Sequence, residues 1–238
     1  MMSVSRVITA LDFAKAADAL AFAETVDPKL SRVKVGKELF TRAGPQVVTD
    51  LHSMGFEVFL DLKFHDIPNT VAGAVRAACE LGVWMVNVHA SGGKPMLTAA
   101  ADAVKECGSK TLLIGVTVLT SMNDDDVAAV GYANNAAEQA VRLAKLTAES
   151  GLDGVVCSPQ EVPIIRRAVE PISQNFITVT PGVRPETLNS NDDQRRIMTP
   201  LDAIKNGSDY LVIGRPITQA DVPNETLSSI IHDLREAV

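Results

Sequence analysis

Short apolar segments alternate with helical segments eight times along this chain, and this alternation constrains the fold more than any other feature. The apolar segments have the length and residue types of buried strands, whereas the stretches between them repeat apolar residues three and four positions apart, as helices do. Eight β/α units within 238 residues predict one α/β domain, a single closed (β/α)₈ or TIM barrel over residues 1–238. The predicted strands are residues 6–11, 32–35, 57–62, 85–88, 111–118, 154–157, 176–180 and 210–213.

A doubly wound open sheet is the alternative fold. It usually has fewer strands, and in dinucleotide-binding proteins a GxGxxG turn follows the first strand, which this chain lacks. Because 46% of the residues are hydrophobic, the chain can bury the single large core that a barrel needs. Helices are expected at 137–150, 159–169 and 226–237, and the prolines at expected helix starts are Pro45, Pro68 and Pro159.

The charge and the cysteine content argue against several classes of protein. A formal net charge of −7 disfavours a nucleic-acid partner held by phosphate contacts. Residues 1–10 lack a signal-peptide pattern and no apolar run reaches membrane-spanning length, so we expect a cytoplasmic protein without a membrane partner. Cys79, Cys107 and Cys157 are widely spaced and odd in number, which suggests neither a zinc motif nor a disulfide framework. Cys157 is interpreted as a small buried residue rather than a nucleophile.

Polar residues collect at the ends of the predicted strands. In barrels of this type the active residues lie at the carboxyl ends of the strands and in the loops that follow, so a shared rim favours a common site. Each residue alone is more often a solvated rim residue or the partner in an ion pair. His89 could be a catalytic acid, although an imidazole held within a network at the rim is the simpler interpretation. The residues are Asp12, Lys34, Asp61, Lys63, His89, Thr120, Ser121, Arg184 and Arg215.

The run DLKFHDIPNT at residues 61–70 carries the clearest chemistry. Asp61 and Lys63 are two apart, so an extended strand would place both side chains on one side, and Lys34 on the neighbouring strand could reach Asp61. Asp66 follows in a turn, where periodicity does not set its direction. An ammonium held by carboxylates can give a proton to a developing carbanion. A structural network of ion pairs is the alternative interpretation.

A phosphate site is predicted in the loops after the seventh and eighth strands, where such barrels commonly bind phosphate. Gly182 and Gly214 would let backbone N–H groups approach an anion, and Arg215 offers a planar bidentate donor. Plain strand-to-helix turns are the alternative for each glycine. The polar segment 184–196 is the candidate lid, and the acidic run at 124–126 is interpreted as the first turn of a helix rather than a metal site.

Taken together, these motifs resemble those of the orotidine 5′-phosphate decarboxylase family in its bacterial form, over nearly the full length of the chain. The resemblance implies a homodimeric (β/α)₈ carboxy-lyase that converts orotidine 5′-monophosphate to uridine 5′-monophosphate (UMP) and CO₂ in de novo pyrimidine biosynthesis, with no metal and no cofactor. The motifs that carry it are ALD at 10–12, KVGK at 34–37, DLKFHDIPNT at 61–70, VHASGG at 88–93, VLTS at 118–121, TPGVRP at 180–185, DQRR at 193–196 and IGRP at 213–216.

The resemblance also implies a role for each matching residue. Lys63 corresponds to the lysine that protonates C6 after CO₂ leaves, and Asp61 to the aspartate beside the substrate carboxylate. Asp66 and Thr70 correspond to residues that reach into the partner subunit's site, where Asp66 completes the catalytic group. The remaining substrate contacts are Asp12 and Lys34 to the ribose, Thr120 to the base, Gln194 between base and phosphate, Gly214 and Arg215 to the phosphate, and Arg184. An apolar slot for the nascent CO₂ could be lined by Ile67, Leu119 and Val183.

Two other functions are compatible with the sequence. A related group of barrels carries the same DxKxxD run with Mg²⁺ and acts on keto-sugar phosphates as a decarboxylase or aldolase. Those proteins generally have an acidic metal ligand at the end of the second strand, where this chain has Lys34, so Glu38 is the one residue that could support a metal. The other alternative is a barrel that binds a nucleotide phosphate without turnover, and the intact Asp61, Lys63 and Asp66 argue against it.

Overall fold

Eight parallel strands pair in chain order and close into a barrel, as the alternation predicts. The computed structural model describes residues 5–184 and 198–236. Each predicted strand is confirmed, and its observed ends fall within two residues of the predicted ones. The strands are β1 (Val7–Ala10), β2 (Arg32–Gly36), β3 (Val58–Phe64), β4 (Met85–His89), β5 (Leu112–Val116), β6 (Gly154–Val156), β7 (Ile177–Thr180) and β8 (Tyr210–Ile213).

Helices cover the outside of the barrel and follow each strand. Pro68 begins a helix and Pro45 directly precedes one, as predicted, but Pro159 lies in a turn, and the next helix begins at Val162 with Pro163 in its first turn. None of the helices within the described ranges is long and apolar enough to cross a membrane. The helices are α1 (Ala16–Ala23), α2 (Lys37–Ala43), α3 (Gln46–Ser53), α4 (Pro68–Glu80), α5 (Gly93–Glu106), α6 (Asp124–Ala129), α7 (Ala136–Glu149), α8 (Val162–Val169), α9 (Pro200–Lys205), α10 (Arg215–Thr218) and α11 (Pro223–Glu236), with a 3₁₀ turn at Ala90–Gly92.

The acidic run at 124–126 forms the first turn of α6, as the sequence predicts. The side chain of Asn123 accepts a hydrogen bond from the backbone N–H of Asp126 at 2.9 Å, and the Asp126 carboxylate accepts one from the N–H of Asn123 at 3.0 Å. This reciprocal capping satisfies two donors at the helix start, where negative charge also complements the helix dipole. The run therefore stabilises a helix.

The amino-terminal end of the barrel is closed by a cation held between aromatic rings. The Arg32 guanidinium lies 4.1 Å from the centre of the Trp84 ring and 5.3 Å from that of Tyr210. Its nitrogens also reach Glu57 at 2.8 Å and the carbonyl oxygen of Ser5 at 2.6 Å. Above this layer a ring of buried apolar side chains fills the interior, namely Ile8, Phe59, Met85, Ile114 and Val179. Because side chains fill this end, the described part of the barrel leaves room for a ligand at the carboxyl ends of the strands.

The cysteines contribute to packing and form no disulfide. All three are free; Cys79 and Cys157 are buried, and Cys107 is exposed. Cys157 directly follows β6 and is fully buried, which confirms the interpretation of this residue as a small core side chain.

Candidate active site

A cavity of about 680 Å³ opens at the carboxyl ends of the strands, where the barrel architecture predicts a site. Its floor is apolar, with side chains from the upper interior of the barrel such as Phe59, Val116 and Val212. Its walls carry the polar residues that the sequence places at the strand ends. Eight of the predicted site residues line this one cavity, namely Asp12, Lys34, Asp61, Lys63, Thr120, Arg184, Gly214 and Arg215.

Four of these side chains form a continuous chain of alternating charge. Lys34 Nζ donates a hydrogen bond to Asp12 Oδ1 at 3.1 Å and lies 3.5 Å from Asp61 Oδ2. Lys63 Nζ donates to the other carboxylate oxygen, Asp61 Oδ1, at 2.5 Å. The Asp61 side chain is 12% exposed and that of Lys34 10%, whereas Asp12 at the rim is 70% exposed. Asp61 therefore binds two lysines at once, one through each oxygen.

Burial and neighbouring charges act in opposite directions on these groups. Burial raises the pKa of Asp61, but Lys34 and Lys63 outweigh it, so the pKa lies below its ordinary value. Burial lowers the pKa of Lys34, but the carboxylates of Asp61 and Asp12 outweigh it and raise the pKa above its ordinary value. At neutral pH the cavity wall consequently holds Asp61 as a carboxylate and Lys34 as an ammonium.

The contact between Asp61 and Lys63 depends on an irregular backbone. Leu60 pairs with Val86 and Phe64 with Val88, so three residues of β3 face a single residue of β4. Within this bulge Lys63 has a φ of 51°, in the left-handed region that residues other than glycine rarely adopt. The sequence prediction that the two side chains lie together is right, but the reason it gave, the alternation of an extended strand, is wrong.

Asn87 belongs to this cluster, although the sequence analysis missed it. Its side-chain Nδ2 donates to Asp61 Oδ1 at 2.7 Å, and its Oδ1 accepts the backbone N–H of Lys63 at 2.8 Å. The residue is fully buried. A signal was present in the sequence, because this amide interrupts the apolar run MVNV at 85–88 in a strand predicted to be buried.

Comparison with known proteins places this geometry in one family. The sequence profile described as "Orotidine 5'-phosphate decarboxylase / HUMPS family" matches residues 5–230. The chain belongs to this family. A Vibrio parahaemolyticus protein named orotidine 5′-phosphate decarboxylase is 58% identical over 226 residues, which cover 94% of this chain and 95% of the relative. An Alcanivorax borkumensis protein of the same name is 55% identical over 230 residues, 97% of this chain and 98% of the relative.

A solved structure of the orotidine 5′-phosphate decarboxylase family shares both the fold and much of the sequence. The crystal structure of orotidine 5′-phosphate decarboxylase from Lactobacillus acidophilus superposes with a TM-score of 0.83 and is 38% identical. The match covers 96% of this chain and 98% of that one. The resemblance noted in the sequence motifs is therefore confirmed over nearly the whole chain.

Three of the predicted site residues lie outside the cavity of their own barrel. Asp66, Ile67 and Thr70 are exposed and occupy the turn after β3 and the start of α4. Ile67 is 66% exposed, and the carboxylate of Asp66 accepts the N–H of Ile67 at 2.7 Å. Leu119 and Val183 line the cavity, but Ile67 does not, so within one barrel the predicted apolar slot has two of its three members. Gln194 and most of the candidate lid at 184–196 lie outside the described residues.

His89 lies beside these charged side chains but does not line the cavity. Burial, together with the positive charges of His65, Lys37 and Lys63, lowers its pKa to about 4, although Asp61 acts in the opposite direction. Its ring centre is 5.5 Å from that of His65, which also lies at the rim. At neutral pH His89 is therefore a neutral imidazole, which agrees with a place in the rim network and disfavours a role as a catalytic acid.

Among the described residues, those around the cavity do not form a site for a divalent metal. Glu38, the one candidate from the sequence, lies on α2, is paired with Arg42 at 3.3 Å and is not part of the cavity wall. Asp12 and Asp61 both face Lys34, so a metal at either carboxylate would compete with the positive charge of this ammonium. Within residues 5–184 and 198–236, no group of three or more His, Cys, Asp or Glu side chains could hold a metal ion.

Proposed function

We propose that this chain is an orotidine 5′-phosphate decarboxylase, which converts orotidine 5′-monophosphate to UMP and CO₂ in the cytoplasmic synthesis of pyrimidines. Residues 1–238 would act as one catalytic domain that uses neither a metal nor a cofactor. The observation that carries the proposal is the buried Lys34–Asp61–Lys63 cluster at the carboxyl end of a barrel whose cavity also contains Arg215. Relatives at 55–58% identity, named for this activity, support the same assignment.

The reaction needs a positive charge at one carbon atom. When the bond between C6 and the carboxylate breaks, its electron pair stays on C6 as a carbanion that the pyrimidine ring can hardly delocalise. A fixed ammonium beside C6 stabilises this charge more than it stabilises the substrate, which is the condition for catalysis. We assign this ammonium to Lys63, which then gives its proton to C6 and regains one from water.

Asp61 supplies the second part of the mechanism. Its low pKa keeps it ionised, and its two lysine contacts fix its position. We propose that it faces the carboxylate of the substrate, so that their repulsion is relieved as CO₂ departs. Since the same carboxylate holds Lys63, one residue both opposes the leaving group and places the proton donor.

The other cavity residues suit the sugar, the base and the phosphate. Asp12 and Lys34 lie on neighbouring strand ends and offer an acceptor and a donor for ribose hydroxyls. We assign Thr120, which lines the cavity with Leu119 and Val183, to the base. Gly182, whose φ of 76° suits glycine, lies with Arg184 after β7, and Gly214 and Arg215 follow β8. These two loops are where we place the phosphate.

We propose further that the working unit is a homodimer. Asp66 and Thr70 are exposed beside the mouth of their own barrel and do not line its cavity. Ile67 between them presents an apolar side chain that is 66% exposed, and the partner subunit would cover it in this proposal. In this proposal Asp66, Ile67 and Thr70 complete the cavity of the second subunit.

Loss of ultraviolet absorbance on mixing the protein with orotidine 5′-monophosphate tests the activity directly. We expect conversion to UMP at a rate that changes less than about twofold when EDTA is added, because the charge at C6 comes from Lys63 and not from a metal. Preparations of Lys63→Ala made in the same host control for contaminating enzymes. Turnover that disappears with EDTA and returns with Mg²⁺ would favour the keto-sugar-phosphate group, and binding without turnover would favour a non-catalytic nucleotide binder.

Arg215→Ala tests the phosphate site. We expect kcat/KM to fall by about 10²–10³-fold, or about 3–4 kcal/mol of transition-state stabilisation, because a charge-assisted contact to the phosphate is lost. Arg167→Ala, at an exposed arginine of α8, is the control and should leave kcat/KM unchanged. Calorimetry should show weaker binding of UMP but unchanged binding of uridine, which has no phosphate. Equal weakening for both ligands would place Arg215 elsewhere in the site.

A further inference from the structure

The backbone bulge in β3 is held by one buried side chain on the neighbouring strand. Residues 61–63 of β3 face Asn87 alone, because the pairing on either side is Leu60 with Val86 and Phe64 with Val88. In a regular ladder a backbone carbonyl would accept the N–H of Lys63, but here the Oδ1 of Asn87 accepts it at 2.8 Å. The Nδ2 of the same amide donates to Asp61 Oδ1 at 2.7 Å. Asn87 thus joins the two residues that the proposed chemistry uses.

A neutral amide satisfies both partners at this position. The backbone N–H of Lys63 needs an acceptor and the carboxylate of Asp61 needs a donor, and both partners lie next to a residue that is fully buried. The opposite orientation of the amide would set donor against donor and acceptor against acceptor. A leucine or valine would leave the N–H of Lys63 unpaired, and an aspartate would set two carboxylates side by side.

The bond to Lys63 also supports an unfavourable backbone conformation. Among the residues that the structure describes, Lys63 is the one residue other than glycine with a positive φ. Such conformations persist only where the surroundings hold them, and they occur preferentially at functional sites. Without the hydrogen bond to Asn87, the bulge can relax toward a regular strand. The Lys63 side chain would then leave the backbone in a different direction.

We propose that Asn87 is a positioning residue for the decarboxylation, and this inference rests on the proposed function. It directs Asp61 Oδ1 toward the ammonium of Lys63 and fixes the backbone from which that ammonium projects. It does not line the cavity, so it acts through Asp61 and Lys63 rather than on the substrate. The residues assigned to the ribose and the phosphate are on other strand ends, and we expect them to keep their positions when Asn87 changes.

The test compares Asn87→Ala and Asn87→Asp with Val86→Ala. Val86 is equally buried on the same strand but packs in the outer core, so its truncation lowers stability without touching the cluster. We expect Asn87→Ala to lower kcat by about 100-fold with KM changed less than about threefold, because misplaced catalytic groups affect the reaction more than binding. Val86→Ala should keep kcat within about twofold of the wild type while lowering the melting temperature to a similar extent.

The pH profile of Asn87→Asp provides the second measurement, and it applies even if the alanine variant fails to fold. An introduced carboxyl beside Asp61 has a raised pKa. Ionised, it repels Asp61; protonated, it can again donate to Asp61 and accept from Lys63. The activity of Asn87→Asp relative to the wild type should therefore rise as the pH falls. The relative activity of Asn87→Ala should not change with pH.

Three results would overturn the inference, and they distinguish a failure of the role of Asn87 from a failure of the proposed function. If the wild type turns over orotidine 5′-monophosphate and Asn87→Ala keeps kcat within about threefold of Val86→Ala, Asn87 is only a packing residue. The same conclusion follows if the activity of Asn87→Asp relative to the wild type does not depend on pH. A wild-type protein without turnover would overturn the proposed function, and this inference with it.

Discussion

Replacing Lys63 with alanine is expected to lower kcat for decarboxylation by about 10⁴-fold or more. The substitution removes both the positive charge that stabilises the carbanion and the proton that quenches it. Proton transfer and electrostatic stabilisation each change enzyme rates by about 10²–10⁴-fold, and in this site one side chain supplies both. Asp61 would meanwhile lose one of its two lysine contacts but keep Lys34 and Asn87, so the cavity should retain its shape.

The measurement separates chemistry from binding. Turnover is followed by ultraviolet absorbance and UMP binding by calorimetry, and we expect the Kd for UMP to change less than about tenfold because the phosphate and ribose contacts remain. Lys105→Ala is the matched control, since Lys105 is an exposed lysine on α5 that pairs with Asp102 and lies away from the cavity. A Lys63→Ala variant with more than a tenth of wild-type kcat would show that another group protonates C6.

The barrel could be predicted because its pattern is local. Each strand is a short apolar run and each helix has its own periodicity, so eight units can be counted before any tertiary contact is known. The ends of the strands were predicted less accurately, because hydrogen bonds between neighbouring strands determine where each strand ends. β3 continues two residues beyond its predicted end, to Phe64, because that residue pairs with Val88 after the bulge. The prediction that Pro159 begins a helix was wrong, because Pro163 is the proline in the first turn of α8.

The cavity residues could be predicted for an architectural reason. A parallel barrel brings all its carboxyl strand ends to one rim, so Asp12, Lys34, Asp61 and Arg215 meet although they are far apart in the chain. The irregular backbone at Lys63 could not be predicted in this way. The backbone N–H of Lys63 is hydrogen-bonded to the side chain of Asn87 in the next strand, which periodicity treats as one more buried position. Sequence patterns describe regular elements, whereas this site uses a departure from one.

The predictions for Asp66, Ile67 and Thr70 stay predictions for a different physical reason. Their side chains are exposed and do not line their own cavity, so the shape of one subunit cannot test a contact that needs two. The roles assigned to Gln194 and the lid likewise concern residues beyond the described ranges. The cytoplasmic setting, inferred from the sequence, also stays a prediction.

Mixed dimers that carry Lys63→Ala in one subunit and Asp66→Ala in the other are expected to regain about half of the wild-type activity per dimer. If Asp66 serves the partner's cavity, the barrel that keeps Lys63 receives an intact Asp66 from the Lys63→Ala subunit, and that one site is complete. The second barrel lacks both residues. Each parent homodimer has no complete site, so the gain on mixing should be several orders of magnitude. Purification through two different affinity tags isolates the mixed species.

The reverse arrangement of the same two substitutions is the decisive control. Here one subunit carries both Lys63→Ala and Asp66→Ala, and its partner is wild type. A shared site leaves this dimer without a complete cavity. The wild-type barrel receives the alanine that replaces Asp66 in its partner, and the other barrel lacks Lys63. If Asp66 instead acted within its own barrel, the outcomes would be exchanged: the wild-type subunit would be active here, and the first mixture would be inactive. Both mixtures contain identical substitutions, so a general loss of stability cannot produce opposite results. Opposite results can arise only from which subunit's cavity Asp66 serves.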